Sequence, residues 1–191
     1  MTDSSKPKSH ILDISESWQR ERPDLDLTEF LLAIHVMRLG RVLDDAYDAM
    51  CRTRFGINGS DMRVLFALRR AGKPYIRRAT DLFRALLVTS GAITKQVDRL
   101  SSQGFVSRID DPDLPAGVQL TAKGLKVANA ATDSLAKNSV IATGLTGMSK
   151  AELAVGRHFV QKVILGLEAA SERSSRSSNL KGKRAKSDAF R

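Results

Sequence analysis

Apolar residues recur along this chain at the spacing of amphipathic helices, and the breaks fall at glycine, proline and capping residues. Ile11, Ile14 and Trp18 stand at i, i+3 and i+7, which predicts a short helix from His10 to Arg22, stopped by Pro23. Asp26 followed by Glu29 resembles a capping box and opens a long helix over Leu27–Arg54. Phe30, Ile34, Met37, Leu39, Val42 and Tyr47 give that helix more apolar surface than one stripe, as expected of an element with several packing partners. Gly56 and Asn58-Gly59 end it. Ser60 is then read as the cap of a helix with Met62, Val64, Leu65 and Leu68 inward, terminated by Gly72 and Pro74.

From Tyr75 the pattern shortens. Tyr75-Ile76 fits a very short strand, and residues 79–86 form a helix with Leu82, Leu86 and Leu87 read as buried. After a turn at Val88–Thr89 a second helix begins, capped by Thr89 or Ser90. Ile93, Val97 and Leu100 make its apolar stripe, which leaves Ser90, Thr94, Lys95 and Arg99 to face away. Gly104 sits where a left-handed residue closes a helix. Phe105–Ile109 reads as a strand, Pro112 and Pro115 punctuate a turn, Val118–Leu120 returns, and Thr121 caps another helix. Two short helices leading into a strand–turn–strand are the pattern of a winged helix-turn-helix. The small-polar and basic outer face of the second helix suits a DNA groove.

A helix over Ala122–Thr143, broken by Gly144 and Gly147, precedes a last helix opened by the capping box Ser149-Lys-Ala-Glu152. Leu153, Val160, Val163, Ile164 and Leu167 are its apolar face. A small winged-helix core has no room for these residues, so a second copy is expected to bury them together with the N-terminal helices. The predicted class is therefore mainly α: a winged helix-turn-helix with a small β-wing and a helical dimerisation region. Its segments are a disordered 1–9, dimerisation helices at 10–55, a DNA-binding lobe at 56–121, dimerisation helices at 122–173 and a disordered basic tail at 174–191.

Charge sharpens this picture. The 191 residues carry a net +10. Residues 61–108 alone hold ten Lys/Arg against three Asp, and residues 174–191 hold six against one, so the remainder is slightly acidic. Basic residues concentrated on a helix-turn-helix favour double-stranded DNA as partner, since they displace counterions condensed on phosphates. No run reaches the roughly 18 apolar residues needed to span a bilayer, and the polar start lacks a signal peptide's apolar core. Cys51 is the single cysteine, which excludes an intramolecular disulfide and fits a cytoplasmic setting. Buried behind an apolar helix, it reads as an inert thiol ahead of a peroxide sensor. His10, His35 and His158 are too scattered for a metal site. No nucleophile elbow, phosphate loop or dinucleotide fingerprint is present, so neither an enzyme nor a cofactor is expected.

The segment Leu-Leu-Val-Thr-Ser-Gly-Ala-Ile-Thr-Lys at 86–95, with Asp98-Arg99-Leu100, Gly104-Phe105-Val106, Arg108, Asp111-Pro112-Asp113, Leu120-Thr121 and Gly124, resembles the multiple antibiotic resistance regulator (MarR) family of winged-helix repressors. The Trp18-Gln-Arg-Glu-Arg-Pro-Asp-Leu-Asp26 stretch resembles the extra N-terminal helix of the family's urate-responsive subgroup. The resemblance spans about residues 12–170. It implies a dimer that reads consecutive major grooves and is released by a small ligand between the dimer helices and the DNA-binding lobe. The chain departs from the family in two places. The family's wing reads Asp-Pro-Asp-Asp-Arg-Arg, whereas here Asp113-Leu114-Pro115-Ala116-Gly117 is shorter and lacks both arginines. Minor-groove contact through the wing is then weak. Lys95, Arg99, Arg108, Arg77 and Arg78 carry more of the DNA contact, and Asp98 loses its usual partner.

The subgroup's effector site uses a tryptophan, an aspartate and an arginine. Trp18 matches the first, but the other two positions fall on Arg63 and Gln96. That exchange disfavours urate and suits an aromatic or similarly apolar carboxylate, with His35 and Arg38 as further contacts. The alternative readings are a dimer-core residue for Trp18 and an ordinary surface arginine for Arg63. The rival to an effector-released repressor is an architectural or partner-controlled DNA-binding protein.

Overall fold

The computed structural model describes residues 10–109, 111, 115–138 and 144–188. The chain divides into two units, residues 1–144 and 145–191.

The first unit opens with helix α1, His10–Glu21, and helix α2, Thr28–Phe55. Asp26 does hold the start of α2, its Oδ1 accepting the Thr28 N–H at 3.0 Å, so the helix begins one residue later than the capping pattern suggested. Gly56, at φ +66°, closes α2 in the left-handed conformation. Helix α3, Gly59–Arg69, is capped by Asn58 and not by Ser60: the Asn58 carbonyl oxygen of the side chain accepts the Asp61 N–H at 2.8 Å, and Ser60 donates its hydroxyl to that same oxygen. Asn58 is the last extended residue, so its side chain alone can reach back to the first turn. Met62, Val64, Leu65 and Leu68 are fully buried, as the periodicity of α3 requires.

Strand β1, Ile76–Arg78, leads into α4, Ala79–Leu86, and α5, Ser90–Ser102. Tyr75 stays outside β1 because its φ is +62°. Thr89, not Ser90, caps α5, its hydroxyl accepting the Ala92 N–H at 3.2 Å. Ile93, Val97 and Leu100 go into the core, and Gly104 turns the chain out at φ +73°. Leu87 departs from expectation. It closes α4 in the left-handed region at φ +54°, which swings it off the buried stripe and leaves it 85% exposed.

Strands β2, Val106–Ile109, and β3, Gly117–Leu120, complete a three-stranded antiparallel sheet of order β1-β3-β2. Arg78 pairs with Gly117 across one ladder, and Ile109 pairs with Gly117 across the other. Three wing-turn residues on which the resemblance turned, Pro112, Asp113 and Leu114, lie outside the described residues, as do residues 1–9, 189–191 and 139–143, the expected end of the helix that starts at Ala122. Helix α6, Ala122–Asn138, packs Ala128 and Ala131 into the core.

The second unit contains α7, Lys150–Asp188. Its capping box forms as read: Ser149 N–H donates to Glu152 Oε2 at 2.7 Å, and Glu152 N–H to Ser149 Oγ at 3.2 Å. Where composition suggested a disordered tail from Ser174, α7 continues to Asp188. That stretch has no proline, and Lys, Arg and Ala propagate a helix once a capped start has nucleated it.

Candidate nucleic-acid interface

The buried stripe of α5 fixes what the rest of that helix can do. With Ile93, Gln96, Val97 and Leu100 buried, Ser90, Thr94 and Lys95 are exposed along the N-terminal half. Gly91 lies among them with open space where a Cβ would be, so the backbone itself is approachable there. Thr94 donates its hydroxyl to the Ser90 carbonyl at 3.0 Å, which leaves its methyl group and oxygen lone pairs outward. A short helix presenting small polar groups and one lysine at its N-terminal end can enter a major groove and touch base edges. Arg77 and Arg78 are exposed on β1, the strand that opens the motif, where they can flank such a groove as phosphate partners.

Arg99 and Arg108, both assigned to DNA, are engaged by carboxylates of the chain. Arg99 reaches back to α3, where Nε donates to Asp61 Oδ2 and Nη2 to Asp61 Oδ1, both at 2.6 Å. The hydrogen bonds to Asp61 raise the Arg99 pKa further above its ordinary value. Arg108 donates from β2 to Asp98 Oδ1 at 2.5 Å. Asp98 is thus not left without an arginine: β2 provides the partner that the shortened wing tip lacks. This exposed pair is worth little to stability, but it joins α5 to the sheet.

The residues assigned to an effector do not gather into one place. Trp18 is 40% exposed and meets Phe30 edge-on, with ring centroids 5.1 Å apart. His35 Nε2 lies 3.4 Å from Ser15 Oγ, again between α1 and the start of α2. Arg63 lies further along: it pairs with Asp44 and stacks over Tyr47, 5.1 Å from the ring centroid. His35 and Asp44 are nine residues apart, about 13 Å along a helix axis. Arg38 is exposed. Gln96, at the position where the subgroup carries arginine, is 7% exposed, and its Oε1 has no hydrogen-bond partner.

What the sequence did not signal is a cleft of about 620 Å³ between α3 and α6, lined by Phe66, Arg69, Arg70, Asn129, Thr132 and Leu135 among others. Arg69 is held by Asn129 Oδ1 at 2.7 Å and stacks over Tyr75. The Arg69-Arg70 doublet was a visible clue, but only the fold brings it against residues sixty positions away. Cys51 is completely buried, and burial pushes its thiol pKa up. Among the described residues no three His, Cys, Asp or Glu side chains are placed to hold a metal ion, and no helix is long and apolar enough to cross a membrane.

Comparison with known proteins agrees with this geometry. The MarR family model matches residues 55–113, from the end of α2 into the wing. The HTH-type transcriptional regulator PecS of Dickeya dadantii (strain 3937) is 28% identical over 130 residues, covering 67% of this chain and 78% of that protein. Among solved structures, a MarR family transcriptional regulator from Streptomyces coelicolor is 21% identical, with a TM-score of 0.61 over 74% of this chain and 96% of its own. Wild-type MarR from E. coli in its apo form is 22% identical, with a TM-score of 0.58 over 69% of this chain and 95% of its own. These structural likenesses establish the winged-helix fold. The relatives are transcription regulators and not enzymes.

Proposed function

Because this chain belongs to the MarR family of transcriptional regulators, we propose that it is a repressor that binds a palindromic operator as a homodimer and leaves it when a small apolar carboxylate binds. The observation that carries the DNA-binding part is the N-terminal half of α5. Ser90, Thr94 and Lys95 are its exposed side chains, on a helix whose other face is sealed into the core, and Arg77 and Arg78 are exposed on β1. Residues 61–108, which include both helices of the motif, carry ten Lys/Arg against three Asp.

Dimerisation is supported by apolar surface that one chain leaves uncovered. Phe30, Met37, Leu39 and Val42 on α2 are exposed, and so are Val155, Leu165 and Leu167 on α7. Isolated exposed apolar residues are ordinary, but a succession along both helices marks an interface. A two-fold dimer would present two copies of α5 at the spacing of successive major grooves.

For the effector, the α3–α6 cleft has the volume of a small-molecule site. Phe66 and Leu135 give it an apolar wall, and Arg70 a guanidinium with no ion pair among the described residues. That combination suits an aromatic or aliphatic carboxylate. The cleft is a better candidate than Arg63, whose charge Asp44 already neutralises.

The test is fluorescence anisotropy with duplexes from the regulator's own upstream region, with and without aromatic acids. The expected result is specific binding in the nanomolar range or tighter, weakened by the acid in wild type and in Arg63→Ala but not in Arg70→Ala. DNA binding that no acid alters would favour an architectural protein. No DNA binding at all would overturn the proposal.

A further inference from the structure

The apolar stripe of α5 is not its only attachment to α3. Asp61, in the first turn of α3, is 2% exposed, and both of its carboxylate oxygens are taken by Arg99. Asn58 adds a third bond, its Nδ2 donating to Asp61 Oδ2 at 3.0 Å, while its own oxygen caps the Asp61 N–H. The same cap is fastened to α2. Gly59 N–H donates to Asp48 Oδ1 at 2.6 Å, and Gly59 lies so near Tyr47 that a Cβ would meet the ring at 2.9 Å. A series of directional contacts therefore runs from α2, through the start of α3, to the last turn of α5.

This fork decides what Arg99 is available for. Turning to a DNA phosphate would strand the Asp61 carboxylate, buried and without counter-charge, which is costly. Held in place, the planar guanidinium fixes both the separation and the orientation of the elements it joins. Apolar contacts are non-directional and leave a helix freer to roll about its own axis. Roll is what matters here, since it sets whether Ser90, Thr94 and Lys95 point into a groove or at its edge.

We infer that Arg99 is a positioning residue and not a DNA contact: the Asp61–Arg99 fork sets the roll of α5 on α3 and so aims Ser90, Thr94 and Lys95. This rests on the DNA-binding reading above. The fork therefore governs discrimination between operator and random DNA and leaves general attraction to phosphates alone.

The experiment measures binding of the full chain to the duplex that wild type protects in a footprint, and to a scrambled duplex of equal length, over a series of salt concentrations. The variants are Arg99→Gln, Arg99→Lys, Asp61→Asn and the double Asp61→Asn/Arg99→Gln, with melting curves for each. Each single variant is expected to lose about tenfold or more in operator affinity, with Arg99→Lys least affected. Scrambled-duplex affinity and its salt slope should be unchanged, and the double variant no worse than the weaker single one. If Arg99→Gln melts below the assay temperature, Arg99→Lys and Asp61→Asn carry the comparison. The inference is overturned if Asp61→Asn binds the operator like wild type, if the losses add, or if Arg99→Gln weakens both duplexes with a salt slope lower by about 0.9, the mark of a lost phosphate contact. Wild type that binds neither duplex would overturn the DNA-binding reading first, and this inference with it.

Discussion

Gly124 stands so close to the backbone of Phe105 that a Cβ on it would lie 2.1 Å from the Phe105 carbonyl oxygen. The two residues belong to different elements, the first turn of α6 and the loop entering β2. Thr121 binds them from both sides. Its hydroxyl bonds to the Phe105 carbonyl oxygen at 3.0 Å and accepts the Gly124 N–H at 3.1 Å. A methyl group there cannot be relieved by rotating a side chain, because the obstacle is main chain. Gly124→Ala is expected to destabilise the protein by about 3 kcal/mol, read from the shift in a urea unfolding midpoint. A shift below about 0.5 kcal/mol, the range of ordinary surface substitutions, would show that the two segments separate easily.

How much of this was legible in the sequence depends on the range of the interaction. Thr89 as a cap, Gly104 as a left-handed stop and the Ser149–Glu152 box involve residues within a few positions of each other, and all three form. The stripe Ile93, Val97, Leu100 named the buried face of the recognition helix and, by exclusion, its outer face. The role of Arg99 was not legible. Its partner Asp61 is 38 residues away, and no period or cap rule connects two residues on different helices. Arg99 therefore looked like any outward arginine on a basic helix. The Arg108–Asp98 pair is not legible either, because the resemblance places the partner of Asp98 at the wing tip, whereas the arginine comes from the strand. Leu87 was misplaced because it continues an apolar run, and the left-handed turn that expels it leaves no trace in composition.

Alkaline sensitivity should come from the Tyr47–Cys51 pair. Burial pushes both side chains' pKa up, Tyr47 further still because of the neighbouring thiol. Both groups are neutral when protonated, so the raised folded values mean that the unfolded chain gives up protons first. Their contribution to stability is intact below the unfolded thiol value, near 8.5, and is lost as pH rises from there. The urea midpoint should hold between about pH 6 and 8 and fall above about pH 9. Tyr47→Phe should flatten the part of that fall above about pH 10, where the unfolded phenol ionises, at little cost near neutrality, because the Tyr47 hydroxyl is buried without a hydrogen-bond partner. Native Cys51 should resist iodoacetamide and react once the protein is unfolded. Rapid alkylation of the folded protein would contradict its burial.

Lys95 and the Arg77–Arg78 pair should weaken DNA binding in different ways. Lys95 leaves α5 with the exposed Ser90 and Thr94, which are proposed to meet base edges, whereas the two arginines are exposed on β1. Arg77→Ala/Arg78→Ala should weaken operator and random duplexes alike and reduce the salt slope by up to about 1.8, for two phosphate contacts. Lys95→Ala should narrow the ratio of operator to random affinity by about tenfold. Unaltered salt dependence in the arginine double variant would remove β1 from the interface.

Leu87 offers a site where stability can be raised. An L-residue at φ +54° brings its Cβ against the following carbonyl, a cost of about 1–2 kcal/mol that asparagine largely avoids. At 85% exposure the leucine recovers almost nothing by packing within its own chain. Its backbone N–H still closes α4 onto the carbonyls of Phe83 and Arg84, and any residue but proline retains that bond. Leu87→Asn should therefore stabilise the protein by about 0.5–1 kcal/mol, raising its melting temperature. Leu86→Asn, one position earlier and packed against the core, should lower it. If Leu87→Asn instead melts below wild type, the leucine must be covered in solution, and the turn between α4 and α5 would then be a contact surface in its own right.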